Sequence, residues 1–444
     1  MTAHVRPLPA AASRSAGLHV LVIGGGIGGL TLAHGLKKAG VGVAVYERDR
    51  TVTSRLQGYR VHISPTGSAA LHECLPGDLF ALFDRTCGRP NRAVRFLTEQ
   101  MKVLLAFEGD VIADDHPIAR HRSASRITLR QVLLSGLEDV VHFGKTFTRY
   151  EQHGARVAAH FEDGTTAEGD VLVAADGGGS RVRRQFLPQA GRIDTGVVGI
   201  AAKIFLDEAR ERIAEPLRDA VSLVAARGGF GLFVAPHEAS DNVTGIATGE
   251  AADVESGNLF DNRRGYLMWA LSGRRAAFGF GQDVEALDGA TLATAAVRTM
   301  RDWSAGFRDL VALSDPTTLS CLRIRTSVPV APWPTGRITF LGDAIHSMTP
   351  YRGIGANVAL RDAAGLARAL AAAPHGDANL IQAIHAYECE MIDYGFRAVR
   401  NSLRAMEQTI STSGLQRAFT RAAFRVIDKM PPLKRRMARG LGEA

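Results

Sequence analysis

The chain has 444 residues, 46% of them hydrophobic and 22% charged; at roughly 100–200 residues per domain, two domains or one large domain with an inserted layer is expected. Those proportions exclude a disordered chain, a collagen-like fibre and a small disulfide scaffold. The formal charge of +8 rests on scattered arginines with no aromatic-interleaved basic stripe, which argues against nucleic-acid binding and for a solvated surface that draws anionic nucleotides.

Residues 1–17 carry Arg6, Ser13 and Arg14 among Ala and Pro without the apolar core of a signal peptide, so a loose leader is expected. No window reaches the ~20 uncharged apolar residues of a membrane span. Cys74, Cys87, Cys321 and Cys389 lie far apart, with no CxxC or Cys/His ligand spacing. A reducing, cytoplasmic compartment and no metal site follow as expectations.

The ordered part opens with His19-Val20-Leu21-Val22-Ile23, an apolar run of strand length that ends in Gly24-Gly25-Gly26-Ile27-Gly28-Gly29. A helical pattern follows from Leu30 and stops at Gly40; a second apolar run, Val41 to Tyr46, ends at Glu47. This is one complete βαβ unit. A third strand, Val171 to Ala175, ends in Asp176-Gly177, and a fourth, Ile338 to Leu341, in Gly342-Asp343. Strands from distant parts of the chain thus finish in Gly/Asp turns, as they do when their carboxyl ends surround one ligand. From about Ile193 to Thr318 the pattern alternates and includes aromatic runs, Phe230 to Val234 and Tyr266 to Leu271, between Gly/Arg turns. It predicts an inserted, mostly antiparallel sheet. Helices are expected from Gly355 to about Ala373, from Asn379 to about Arg404, and toward Leu441 around Pro431-Pro432.

A pyrophosphate must be met by backbone N–H groups with no side chain in the way. Gly24 permits the tight turn, Gly26 the close approach of phosphate, and Gly29 the packing of helix on sheet; Ile27 and Gly28 complete the helix start. Glu47, eighteen residues after Gly29, stands where a carboxylate accepts hydrogen bonds from an adenosine ribose and repels a 2′-phosphate. This fingerprint alone does not separate FAD from NAD.

Two further stretches do. Ala175-Asp176-Gly177-Gly178-Gly179-Ser180-Arg181-Val182-Arg183, and Gly342-Asp343-Ala344-Ile345-His346 followed by Pro350, Gly353, Gly355 and Asn357, resemble the signatures of the class A flavoprotein monooxygenases, the aromatic hydroxylases with the para-hydroxybenzoate hydroxylase fold. With the glycine fingerprint they occur in the family's order over about residues 18–400. The departures are Ala175 for a glycine and an unusually glycine-rich 177–179. The resemblance implies an α/β fold with a discontinuous Rossmann-like FAD-binding domain (18–190 and 319–400), a substrate domain (191–318) and a C-terminal helical segment (401–444). It also implies non-covalent FAD, NAD(P)H as a transient co-substrate without its own fingerprint, to be sought at Asp176 to Arg183, and transfer of one oxygen atom of O2 to an aromatic or polyketide-like substrate through a flavin C4a-hydroperoxide.

By the same resemblance Asp343 holds the ribityl chain and Arg126, in Arg126-Ile127-Thr128-Leu129-Arg130, contacts FAD, with Arg55 a second candidate. His346 is assigned no role. One part has its own physical reason: a helix starting near Gly355 aims the N–H groups of Gly355, Ala356 and Asn357 at the negative charge of reduced flavin, and Gly353 and Gly355 admit the ring. Phe230, Phe233, Met268 and Trp269 are candidates for an apolar pocket. Two alternatives stay open. One is a redox-neutral cyclase of natural-product biosynthesis that keeps FAD as a scaffold; the other is a non-enzymatic flavoprotein whose Lys434, Arg435 and Arg436 contact acidic lipid or protein.

Overall fold

Continuous apolar runs make the innermost strands, because a parallel strand is covered on both faces. In the computed structural model, which describes residues 17–51, 60–89, 91, 93–108, 116–238, 264–373 and 376–439, β1 (His19–Ile23) has Val20, Leu21 and Val22 fully buried. It leads through α1 (Ile27–Lys38) to β2 (Gly42–Tyr46). The chain continues through β3 (Arg60–Ile63), α2 (Pro65–Cys74), α3 (Gly77–Thr86), β4 (Ala93–Leu97), β5 (Val103–Glu108), β6 (Arg122–Ser125), α4 (Arg126–Leu134) and β7 (Val141–His142). A three-stranded antiparallel sheet, β8 (Phe147–His153), β9 (Arg156–Phe161) and β10 (Thr166–Gly169), precedes β11 (Val171–Ala174).

After α5 (Arg181–Phe186) come β12 (Arg192–Phe205), α6 (Leu206–Ala209), α7 (Glu215–Arg218), β13 (Ala220–Ala225), β14 (Phe230–His237), β15 (Tyr266–Arg274), α8 (Gly289–Thr299), α9 (Ala305–Leu313) and β16 (Ser320–Ser327). The chain returns through β17 (Ile338–Phe340) and α10 (Asp343–His346). It ends in α11 (Gly355–Ala372), α12 (Asp377–Thr409), α13 (Gly414–Asp428) and α14 (Pro431–Arg439).

The strands β17-β11-β1-β2-β7 form one wholly parallel sheet. Two of its helices lie side by side and point the same way. A Cβ added at Gly28 of α1 would come 3.3 Å from that of Ala359 in α11, and one at Gly35 would come 2.8 Å from that of Ala367. Glycine lets the two backbones approach this closely, and both N-termini therefore open at the carboxyl end of the sheet.

The second sheet has seven strands in the order β16-β12-β15-β14-β13-β4-β5. The sequence places 93–108 on the nucleotide side, yet β4 pairs in parallel with β13, Ala93 opposite Ala220, so the sheet is mixed and the edge of β13 is covered. One face carries Leu232, Val234, Leu267, Trp269 and Leu271, packed on Leu292, Phe307 and Leu310 of α8 and α9. The other face, with Gly231 and Ser272, meets Thr409 of α12 and Tyr351.

Candidate active site

The glycine turn assigns its residues separate tasks. Gly24 has φ +112°, and a Cβ there would lie 2.4 Å from the Ala175 carbonyl oxygen. At Gly29 a Cβ would lie 2.2 Å from the Gly24 oxygen, so α1 can pack on β1 only with glycine. At Gly28 it would meet Leu341 at 2.7 Å. Gly26 differs: it caps α1 with φ −81°, and a Cβ there would meet nothing within 4 Å. Beside it Ile27 opens the helix, so free N–H groups face open space at a positive helix end.

Glu47 sits at the end of β2, 7% exposed, but its carboxylate is already engaged: Oε2 accepts from Gly25 N at 2.7 Å and Oε1 from Asp49 N at 2.9 Å. It thus shapes the turn itself, whatever else it binds. Glu47→Ala removes both charge-assisted bonds and is expected to lower the stability of the cofactor-free protein by about 2–4 kcal/mol as well as weakening nucleotide binding, which urea denaturation of both proteins measures. Arg126 is exposed at the first turn of α4, whose N-terminus Ser125 caps. One turn later on the same face, Arg130 reaches Gly25 O at 3.3 Å and Asp49 Oδ2 at 3.4 Å. Sequence reasoning passed over Arg130, although its i+4 spacing from Arg126 was visible. Arg55 lies outside the described residues.

At the second helix start, Gly353 has φ +62° and no neighbour within 4 Å of a Cβ; at Gly355 a Cβ would meet only Met348, at 3.7 Å. Gly355, Ala356 and Asn357 form the first turn of α11. The Asn357 side chain is spent on structure: Oδ1 accepts from Ser64 N at 2.8 Å and Nδ2 donates to His62 O at 2.9 Å, tying β3 to α11. Only its backbone N–H is left for a ligand at the helix start.

Asp343 is exposed at the start of α10. The turn that presents it, with Gly342 at φ +60°, is held by the fully buried Asp362, which sequence reasoning missed. Asp362 accepts from Gly342 N at 2.7 Å, from His346 Nε2 at 2.8 Å and from the Tyr394 hydroxyl at 2.5 Å. Burial pushes the His346 pKa down, but the Asp362 charge and hydrogen bond outweigh it and the net shift is upward. His346 is therefore part of the support beneath Asp343.

Asp176 caps α5: its Oδ2 accepts from Arg181 N at 2.8 Å and Val182 N at 3.4 Å, while Oδ1 is buried with no partner. Burial raises its pKa, with these hydrogen bonds opposing. Next to it Gly178 and Gly179 line a polar cleft with Arg183, Arg184, Arg192 and Arg325. Arg183 donates to Ala344 O at 2.6 Å and Gly178 O at 2.9 Å, and a Cβ at Gly178 would strike the Arg192 guanidinium at 2.4 Å. The Nε atoms of Arg183 and Arg192 are buried without partners. Four guanidinium groups and one carboxylate, that of Asp194, line this cleft, so its net charge is positive and favours an anion.

Both the glycine turn and the α11 start fall inside stretches that match known families. An FAD binding domain family matches residues 285–402 and an NAD(P)-binding Rossmann-like domain family residues 22–86. A Photorhabdus luminescens structure assigned as an FAD-containing monooxygenase is 31% identical, with TM-score 0.77 over 88% of this chain and 98% of its own. The chain belongs to the class A FAD-dependent monooxygenases. Among family members, a dual O-methyltransferase/FAD-dependent monooxygenase of Phaeosphaeria nodorum is 31% identical over 83% of this chain, which spans 42% of that protein's length. An FAD-dependent urate hydroxylase of Klebsiella oxytoca is 27% identical over 93% of this chain and 94% of its own.

Strand parity divides the four expected pocket residues between the two faces of the seven-stranded sheet. Trp269 lies on the face packed on α8 and α9, fully buried, its Nε1 donating to Ser314 Oγ at 2.8 Å, and Phe230 packs edge-on against Phe278 at 5.1 Å. Phe233 and Met268 are half-buried on the other face, which also carries Ser272. The Tyr351 hydroxyl donates to Ser272 Oγ at 2.8 Å, linking this face to the loop before Gly353. His62 of β3 and His121, just before β6, stack at 5.0 Å with ring nitrogens 3.1 Å apart. Burial, then Arg60 and His121, push the His62 pKa down to about 3, so its ring is neutral at pH 7. Two histidines 59 residues apart give no local signal in sequence.

Proposed function

We propose that this protein binds FAD non-covalently and uses NAD(P)H and O2 to hydroxylate or epoxidise an organic substrate of aromatic or polyketide-like character. The observation that carries the reading is the pairing of two parallel helix N-termini, α1 and α11, at one end of one sheet, each opening on glycines with empty space where a side chain would be. The first takes a pyrophosphate, the second a negative charge on a flat ring. Bound FAD supplies hydride acceptance and oxygen activation; the chain supplies binding, orientation and exclusion of water.

In this reading Gly24, Gly26, Ile27, Gly28 and Gly29 hold the phosphates, Glu47 and Arg130 fix the turn, Asp343 takes the ribityl hydroxyls, and the N–H groups of Gly355, Ala356 and Asn357 stabilise charge on the reduced ring. Residues 18–190 and 319–400 act as the cofactor domain and 191–318, joined by β4 and β5, as the substrate domain. Phe233, Met268 and Tyr351 shape the substrate space and keep it dry. The arginine cleft takes the phosphates of NAD(P)H. Arg192→Ala combined with Arg325→Ala is accordingly expected to raise KM for NAD(P)H about tenfold, the loss of roughly one charge-assisted contact, with FAD content unchanged. The reading as a whole is tested by anaerobic mixing with NAD(P)H. Bleaching of the yellow protein, faster with an aromatic substrate present, supports it; a colourless protein that takes up no FAD on reconstitution removes it.

A further inference from the structure

An amphipathic helix ordinarily turns its apolar stripe to the core; α13 does the reverse. It docks through polar and aromatic side chains. Arg421 pairs with Glu99 and donates to Ala225 O at 3.2 Å, the Phe424 ring lies 4.7 Å from that of Phe96, and Asp428 accepts from Ala106 N at 3.2 Å. At about 100° per residue these three share one side of the helix. Leu415, Phe419, Ala422, Val426 and Met430 share the opposite side, and all five are exposed, Leu415 by 87% and Phe419 by 77%. Leu433 of α14 is exposed as well. Half of the large apolar side chains left exposed among the described residues fall in this short stretch.

Charge decides what covers the stripe. Residues 414–439 contain eight Lys or Arg and one acidic residue, Asp428, which already binds Lys434. Arg425 and Lys429 border the stripe, and Arg435 and Arg436 are exposed beyond it. A second copy of the chain would bring the same cationic excess against itself. An anionic lipid surface meets both demands at once, because acyl chains receive the apolar side chains while headgroup phosphates receive the cations. Among the described residues no helix is long and apolar enough to cross a membrane, so contact lies in the plane of the surface.

We propose that α13 and α14 form an interfacial anchor that seats this protein on an anionic lipid surface, with the stripe from Leu415 to Met430 inserted and Arg425, Lys429, Arg435 and Arg436 on the headgroups. The proposal is independent of the reaction catalysed. The test is co-sedimentation of the full chain with phosphatidylcholine vesicles, with and without phosphatidylglycerol, at low and high salt. Binding is expected only with the anionic lipid and should fall with salt. Leu415→Asp with Phe419→Asp should reduce partitioning at least about tenfold, and reversal of the four exposed cations to Glu should abolish it; thermal unfolding and folded content should stay as in the wild type. In Phe419→Trp, tryptophan emission should shift to the blue on adding anionic vesicles. Failure to sediment with anionic vesicles at low salt overturns the proposal. So does binding that survives the double Asp substitution, or light scattering that shows a dimer which those substitutions dissociate.

Discussion

Gly26→Val is expected to leave the cofactor-free protein folded and to abolish its FAD binding. The backbone at Gly26 has φ −81° and ψ 178°, which valine adopts without strain, and a Cβ there touches nothing within 4 Å. The new side chain instead fills the space above the first N–H groups of α1, which the pyrophosphate must reach. A loss of at least 100-fold in FAD affinity follows, about 2.7 kcal/mol. Gly29→Ala is the contrasting control. Its Cβ would collide with a backbone oxygen at 2.2 Å, so no rotamer relieves it, and the βαβ unit itself must shift. Circular dichroism melts and FAD titration of the two variants separate the roles: the first loses ligand with its fold intact, the second loses fold. An unchanged FAD affinity in Gly26→Val would show that the glycine turn holds no phosphate.

Asp362→Ala should be the most damaging single change outside the glycine turn. It strands three buried donors, Gly342 N–H, His346 Nε2–H and the Tyr394 hydroxyl, beneath the loop that carries Asp343. Removing one member of such a buried, hydrogen-bonded group costs about 3–5 kcal/mol, and FAD affinity should fall with it because the Asp343 turn loosens. The pH dependence has a definite sign. The His346 pKa is raised in the folded protein above its ordinary 6.5, so its contribution to stability is full below about 6.5 and is lost as pH rises through the raised folded value. His19, His34, His62 and His142, whose pKa values are lowered, act in the opposite sense in the wild type and in Asp362→Asn alike, so the difference between the two proteins isolates the pair. The gap in urea midpoint between the wild type and Asp362→Asn, which keeps the shape but not the charge, should narrow on going from pH 6 toward pH 9. A gap that widens over the same range would contradict the pairing.

The parts legible in sequence are those with local signals. The strand from His19 to Ile23, the glycine cluster and the acid at 47 announce one unit because apolar runs, turns and helix starts are each written in neighbouring residues. The same holds for Gly353 and Gly355 before α11. Asp362 was not legible, since an aspartate within a helical stretch reads as helix surface until folding brings Gly342, His346 and Tyr394 around it. Recruitment of β4 to β13 depends on pairing between residues 127 apart, Ala93 with Ala220, which no window contains. Met268 and Trp269 are neighbours on one strand, so alternation admits only one of them to a pocket, yet it does not tell which face meets the helices. The same limit applies to α13, whose stripe is visible in the sequence while its outward direction is set by Glu99, Phe96 and Ala106.

The claim that the flavin site performs oxygen transfer is tested most directly by isotope. With a substrate that stimulates NAD(P)H oxidation, turnover under 18O2 should give a product carrying one 18O atom, and no product should form without oxygen or reductant. Full conversion of substrate to an isomer of equal mass, anaerobically and without NAD(P)H, would contradict the account and assign the bound FAD a scaffold role.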